Sequence, residues 1–286
     1  MQPWRTTPVG RGAMAGLNPD REFGLRILSG IVIVLGIIGG IYLGGKVWLG
    51  VVSLLALASL GEYYHLLSKR MKLSRGIGYI CSLAVLLSSA EGIRPVSTTL
   101  ILSLSVYAIF MVEMLRRQTT GQSFAVGNVG GTLSGVLFIV IPWTSIVLLR
   151  NLPTGNLILV SLFACTWGCD VMAYLIGARW GRNRLCEFIS PKKTWEGFIG
   201  GFLGSFLMIA IVVYVLEQPP YPLLLIAPIC GIAGQLGDLA ESLVKRELEV
   251  KDSGRIIPGH GGVLDRFDSI LINGLLTYLL FGIVLA

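Results

Sequence analysis

The chain has 286 residues, of which 53% are hydrophobic and 14% charged, with a formal net charge of +7. Soluble domains carry about 25% charged residues, so this composition excludes an ordinary water-soluble fold and a disordered chain alike. Repeated apolar runs near the ~20 residues needed to cross a hydrocarbon core point to an all-α, polytopic helical membrane protein, and the missing ~10-residue alternating segments exclude an outer-membrane barrel.

The first 26 residues are polar and Pro/Gly-punctuated and carry Arg5, Arg11, Arg21 and Arg26. They are expected to form a cytosolic segment without a secretory signal, which would need an earlier apolar core and a small-residue cleavage site. Nine transmembrane spans follow, at about 27–43, 48–62, 76–90, 97–112, 126–149, 158–178, 197–216, 222–242 and 269–286. The first five make an N-terminal block, 27–150, and 151–286 forms the C-terminal region. With the N-terminus cytosolic, only Lys46, Arg94 and Arg150 fall on the far side; every other one of the 23 Lys and Arg residues is cytosolic. That asymmetry is the positive-inside pattern. The charge is thus a topology signal that needs no nucleic-acid partner, and it sets the basic loops beside anionic headgroups.

Gly36, Gly40 and Gly44, like Gly127, Gly131 and Gly135, recur every four residues and form smooth stripes for close helix packing. Such stripes serve within one chain or between two, so a homodimer stays open. Tyr63 and Tyr64, beside His65, are expected as interfacial anchors. Among the five cysteines, Cys165 and Cys169 share a helical face but lack further metal-ligand partners, and they read as small packing residues.

A carboxylate inside a span costs roughly 2.5–3.5 kcal/mol, so it needs a partner, an ion or a wet cavity. Asp170 lies in the sixth span, and Asp238 and Glu241 lie in the eighth. Asp238, Glu241, Ser242 and Lys245 occupy i, i+3, i+4 and i+7 and share one helical face. The stretch 242–268 is dense in charge, with Lys245, Arg246, Glu247, Glu249, Lys251, Asp252, Arg255, Asp265, Arg266 and Asp268. A turn through Pro258-Gly259-His260-Gly261-Gly262 returns the chain so that Asp265 stands opposite Asp238, with Asp268 one turn further. Hard oxygen ligands without cysteine or paired histidine favour magnesium over zinc. Simple neutralisation of these acids by Lys245, Arg246 and Arg266 is the structural alternative.

Asp170 leads into a second polar segment through Ala173, Tyr174, Gly177 and Gly181, ending in Ser190-Pro191-Lys192-Lys193-Thr194-Trp195-Glu196-Gly197. Ser190 is expected to cap the next helix, with Pro191 at its first position. That helix end and its lysines offer a polyphosphate seat. The chain contains neither a Walker A loop nor a dinucleotide glycine fingerprint.

Ser242-Leu243-Val244-Lys245-Arg246, four residues, Lys251-Asp252-Ser253-Gly254 and then Ile257 to Asp268 resemble the signature of the phosphatidate cytidylyltransferases, or CDP-diglyceride synthases. The Ser-Pro-Lys-Lys-Thr-x-Glu-Gly run resembles that family's second patch. Together these cover roughly the C-terminal 120 residues; the first five spans match only in hydropathy and length.

The resemblance implies magnesium-dependent conversion of CTP and phosphatidate to CDP-diacylglycerol and diphosphate, in phospholipid biosynthesis. The site would face the cytosol from the inner, cytoplasmic membrane. By motif position it implies Asp238 and Asp265 as metal ligands, with Asp268 and Asp170 as further candidates, and a monovalent cation such as K⁺ is open beside the magnesium. Lys245, Arg246, Lys251 and Arg266 would clamp phosphates, Asp252 belongs to the same catalytic motif, and His260 would position the reactants. Ser190, Lys192, Lys193, Thr194 and Glu196 would receive CTP. Two other classes compete: a CTP-dependent polyprenol or phytol kinase, which would release CDP, and a transporter or channel using Asp170, Asp238 and Glu241 as an ion path.

Overall fold

A computed structural model describes residues 19–90, 95–218, 221–254, 256–257 and 261–285. Among the described residues nine helices follow one another: α1 (Pro19–Leu43), α2 (Gly45–Leu67), α3 (Arg75–Ser89), α4 (Pro95–Thr120), α5 (Ala125–Arg150), α6 (Gly155–Trp180), α7 (Trp195–Val215), α8 (Leu223–Glu247) and α9 (Leu264–Val284). The fold is the expected polytopic helical bundle. Among the described residues, seven helices are long and apolar enough to cross a bilayer, where nine spans were expected. The other two are shorter apolar helices, Leu28–Leu43 and Arg75–Ser89. At 1.5 Å per residue α3, with 15 residues, reaches under about 25 Å, short of the ~30 Å hydrocarbon thickness, whereas Leu28–Leu43 is only part of the 25-residue α1.

Burial orders the bundle. In α5, 72% of the most apolar stretch is buried, against 17% in α4, so α5 is central and α4 peripheral. The core runs from Trp48, Leu60 and Tyr64 on α2 through Trp143 and Ile146 on α5 to Phe267 and Ile270 on α9. Outward-facing Leu35, Leu54, Ile80 and Leu104 leave an apolar surface of the kind lipid covers.

α6 and α7 pack tightly because small residues line their seam. A Cβ on Gly201 would lie 2.9 Å from Cys169 Sγ, and one on Gly177 would lie 3.5 Å from the Gly197 Cα. Cys165 and Cys169 are accordingly buried packing residues with free thiols. Gly131 and Gly135 pack against α2 and the α2–α3 loop, whereas Gly36 and Gly127 face open space.

The connections between helices gather at two ends. At one end Arg70 of the α2–α3 loop pairs with Glu249 at 3.0 Å, and Arg246 donates from Nε to the Ile189 carbonyl at 3.0 Å. There too the Ser74 amide donates to Asn128 at the start of α5. At the other end Arg150 donates to the Ile41 carbonyl at 2.7 Å, closing the last turn of α1. The even-numbered connections, rich in Lys and Arg, therefore share one end.

Two local expectations change. Ser190 does not cap a helix: Ser190–Thr194 is a strand, β2, paired antiparallel with β1 (Arg184–Cys186) in register Arg184↔Thr194. The cap is Thr194, whose side chain accepts from the Gly197 amide at 3.1 Å. Glu196 explains the shift. Its carboxylate accepts from the Arg182 and Asn183 amides and the Asn183 side chain, which ties the hairpin to the helix start. Tyr63 and Tyr64 are core residues instead of interfacial anchors. α2 runs on to Leu67, so both rings stay inside the bundle, where the Tyr64 hydroxyl donates to the Thr132 carbonyl at 2.6 Å.

Candidate active site

A cavity of about 810 Å³ opens between α1, α6, the β1–β2 hairpin, α8 and the start of α9. Asp170 reaches it from the middle of α6, Asp238 from α8, and Asp265 and Asp268 from the first turns of α9. Arg184, Lys192, Lys193 and Arg266 supply cations to the same wall. The i, i+3 spacing of Asp265 and Asp268 turns both toward one face. Lys193 bridges hairpin and helix: its Nζ lies 2.8 Å from Asp238 Oδ2 and donates to the Gln235 carbonyl at 3.2 Å. Asp170 interacts electrostatically with Asp238 and Asp268, and Lys193 and Arg266 offset that repulsion. A π-turn at Ile229–Gly234 precedes this part of α8, a distortion frequent where helices carry functional groups.

Behind the cavity wall lies a buried polar layer. Lys245 Nζ sits between Glu241, at 3.0 Å, and Asp265, at 2.8 Å. Asp265 also accepts from the backbone amides of Ser253 and Gly262, at 2.9 and 3.0 Å. One carboxylate thus fixes both ends of the 253–262 loop at the mouth of α9.

Glu62 of α2 completes this layer. It accepts from the Val263 amide at 3.0 Å, the Leu264 amide at 2.9 Å and the Ser253 hydroxyl at 3.2 Å. These are otherwise unsatisfied donors at a helix N-terminus, where an anion is favoured. The same contacts explain two glycines of the motif. A Cβ on Gly254 or Gly262 would press into the Glu62 carboxylate.

Of the residues singled out in the sequence, Asp170, Asp238, Asp265, Asp268, Lys192, Lys193, Thr194 and Arg266 meet on the cavity wall. Lys245 lies behind it, and Arg246 turns away to hold the Ile189 and Val250 carbonyls. Ser190 and Glu196 build the hairpin, and Lys251 and Asp252 are exposed beside the loop; none of the four lines the cavity. His260 lies outside the described residues. Glu62 and Arg184 were not anticipated. The signal for Glu62 was present, since it is a carboxylate in an apolar segment and calls for a partner as Asp170 does.

Among the described residues, no three His, Cys, Asp or Glu side chains converge tightly enough to cage a metal alone. Magnesium does not require such a cage: it keeps waters and takes one or two carboxylates together with substrate phosphates. Asp170, Asp238 and Asp268 around one cavity fit that mode. Behind them Glu241 Oε1 is buried without a hydrogen-bond partner among the described residues.

These features define a polytopic membrane protein whose charged cavity, set at one end of the bundle, suits phosphoryl groups and a hard cation. The chain belongs to the cytidylyltransferase family, whose sequence model matches residues 24–284. It is similar to the phosphatidate cytidylyltransferase of Synechocystis sp., at 46% identity over 131 residues, covering 45% of this chain and 44% of the relative. The Bacillus subtilis phosphatidate cytidylyltransferase is 39% identical over 62% of this chain and 67% of its own. That of Staphylococcus haemolyticus is 31% identical over 86% of this chain and 94% of its own. The protein is accordingly a membrane-embedded nucleotidyltransferase.

Proposed function

We propose that the protein is a CTP:phosphatidate cytidylyltransferase of phospholipid biosynthesis, acting at the cytosolic face of the cell membrane. In the reaction, a phosphate oxygen of phosphatidate attacks the α-phosphorus of CTP. The bond from that phosphorus to the bridging α–β oxygen breaks, and diphosphate leaves in line. The observation that carries the reading is the wall shared by four carboxylates and four cationic side chains. Two mutually repelling polyanions need such a surface more than they need a covalent nucleophile.

Lys192 and Lys193, on the hairpin, would hold the triphosphate as point charges, and Arg184 and Arg266 would grip phosphate oxygens with planar forks. Thr194 lies on the same wall, and Ser190 and Glu196 would keep the hairpin in place for CTP. Asp170, Asp238 and Asp268 would hold Mg²⁺, with Asp265 on the same wall and K⁺ an added expectation of the same acid set. When bound, Mg²⁺ neutralises triphosphate oxygens and stabilises the departing diphosphate. A phosphate monoester has its second pKa near ~6 and is already largely dianionic at pH 7. No strong general base is therefore needed, and His260 is assigned to positioning. Lys245 keeps Asp265 oriented, while Arg246, with Lys251 and Asp252 nearby, secures the loop that carries the motif.

The cytosolic assignment is supported by the even-numbered connections, which hold most of the Lys and Arg and gather at the cavity end. A homodimer, which the glycine stripes leave open, would use the faces at Gly36 and Gly127.

The test is a detergent assay with α-labelled CTP and phosphatidate, with and without Mg²⁺. Label in a lipid product together with diphosphate release, both dependent on Mg²⁺, is the expected result. Release of CDP would indicate a lipid kinase instead. Ion flux in liposomes without CTP turnover would indicate a transporter.

A further inference from the structure

Asn273 and Thr166 are 0% and 2% exposed, deep in the bundle. Asn273 on α9 donates from Nδ2 to the Thr166 hydroxyl on α6 at 2.9 Å, and that hydroxyl donates in turn to the Leu162 carbonyl at 2.8 Å. A hydroxyl has a single proton, so Thr166, with that proton committed, can only accept from α9. The third helix at this point is α8. A Cβ on Gly234, the last residue of its π-turn, would lie 2.5 Å from Asn273 Nδ2, and Cys230 Sγ, one turn earlier, is 3.5 Å from the Thr166 hydroxyl. Glycine at 234 is therefore what lets α8 close on the Asn273 amide.

The contact lies at one level beneath the acids on all three helices. Thr166 is four residues before Asp170, Gly234 is four before Asp238, and Asn273 is five after Asp268. These offsets amount to about 6–8 Å along each helix. α6 and α8 run toward the cavity end and α9 runs away from it, so every offset points the same way, deeper into the bundle. Asp170, Asp238 and Asp268 repel one another across the cavity, which works to spread or rotate the helices that carry them. The π-turn adds to the demand, because its extra residue shifts the helical phase of all that follows, Asp238 included.

We propose that Asn273 and Thr166 form a positioning pair that sets the spacing and rotation of Asp170, Asp238 and Asp268 for one hard cation. The inference rests on the reading of these acids as the Mg²⁺ site. Neither residue lines the charged cavity, so the pair acts through helix register and touches no reactant. Apolar packing alone discriminates weakly between neighbouring registers of helices in lipid. A buried directional bond selects one of them, as a buried asparagine does in a coiled coil.

The test compares Asn273→Leu, Thr166→Val and the double variant, each as the full chain in detergent, by Mg²⁺ titration of CTP turnover with phosphatidate. The double variant removes both partners at similar shape and leaves neither orphaned, so its unfolding temperature should stay near that of the unaltered protein. The Mg²⁺ concentration for half-maximal activity should still rise about fivefold in each single variant, the factor of one neutral hydrogen bond. It should rise no further in the double variant, because the two residues act as one unit. Amide exchange over 229–238 should quicken while α3 and α4 keep their protection. Thr166→Ser retains the hydroxyl and should titrate like the unaltered protein.

An unchanged Mg²⁺ titration in the double variant would overturn the proposal, as would a Thr166→Ser variant that shifts as far as Thr166→Val. Single effects that multiply in the double variant would overturn it too, since each residue would then act alone. A double variant that failed to fold would make the pair a structural requirement and overturn its positioning role. Absence of Mg²⁺-dependent turnover in the unaltered protein would instead refute the proposed function, so the two failures are distinguishable.

Discussion

Glu62→Gln tests whether the first half of the chain takes part in building the site. The carboxylate is 5% exposed and accepts from the Val263 and Leu264 amides and the Ser253 hydroxyl. Glutamine keeps the shape but replaces one acceptor oxygen with an NH₂ group, which faces a backbone donor. A hydrogen bond to a charged acceptor contributes about 1.5–3 kcal/mol, and an orphaned buried donor costs about 1–3 kcal/mol. The anion at the N-terminus of α9 adds about 0.3–1 kcal/mol. A loss near ~3 kcal/mol in docking the 253–264 segment follows, equivalent to about two decades in rate if docking limits turnover. Turnover of CTP with phosphatidate should therefore fall by up to ~100-fold, with faster amide hydrogen exchange at Val263 and Leu264 while α3 and α4 keep their protection. Near-normal turnover with unchanged exchange in 253–264 would show that Glu62 does not hold the loop.

Three further outcomes follow from the same geometry. Asp238→Asn should raise the Mg²⁺ concentration for half-maximal activity by more than about tenfold, the scale on which even outer partners of a metal tune its affinity; an unchanged Mg²⁺ titration would remove Asp238 from the metal site. Lys192→Ala should raise the KM for CTP by about tenfold, since it deletes one charge-assisted phosphate contact, and an effect confined to phosphatidate would contradict its place on the nucleotide wall. Arg70→Ala breaks an ion pair whose side chains are 49% and 77% exposed, so thermal unfolding should move by no more than ~0.5 kcal/mol; a larger loss would mean that this loop contact organises the end of the bundle where the basic connections gather.

Much of the site was legible because the bilayer makes charge conspicuous. Asp170 and Asp238 stood out as carboxylates in apolar spans, and both border the cavity. The i, i+4 pairing of Glu241 with Lys245 was also readable, and it forms. Other assignments needed contacts that no local pattern encodes. Lys245 looks like a phosphate donor by composition, yet it bonds Asp265, twenty positions on. Arg246 holds Ile189, from the other polar segment. The Ser-Pro-Lys-Lys-Thr run reads as a helix start, but β1 pairs with it and Glu196 closes the turn, moving the cap to Thr194.

The sequence by itself determined the membrane class, the approximate places of the nine helices and the end at which charge collects. Each of these follows from residue-by-residue transfer between water and hydrocarbon, which depends on composition along the chain and not on distant neighbours. Only the tertiary structure decided which charged groups face the cavity and which brace the scaffold, because that choice is made by long-range hydrogen bonding. Glu62, about two hundred residues from the α9 amides it receives, is the clearest case.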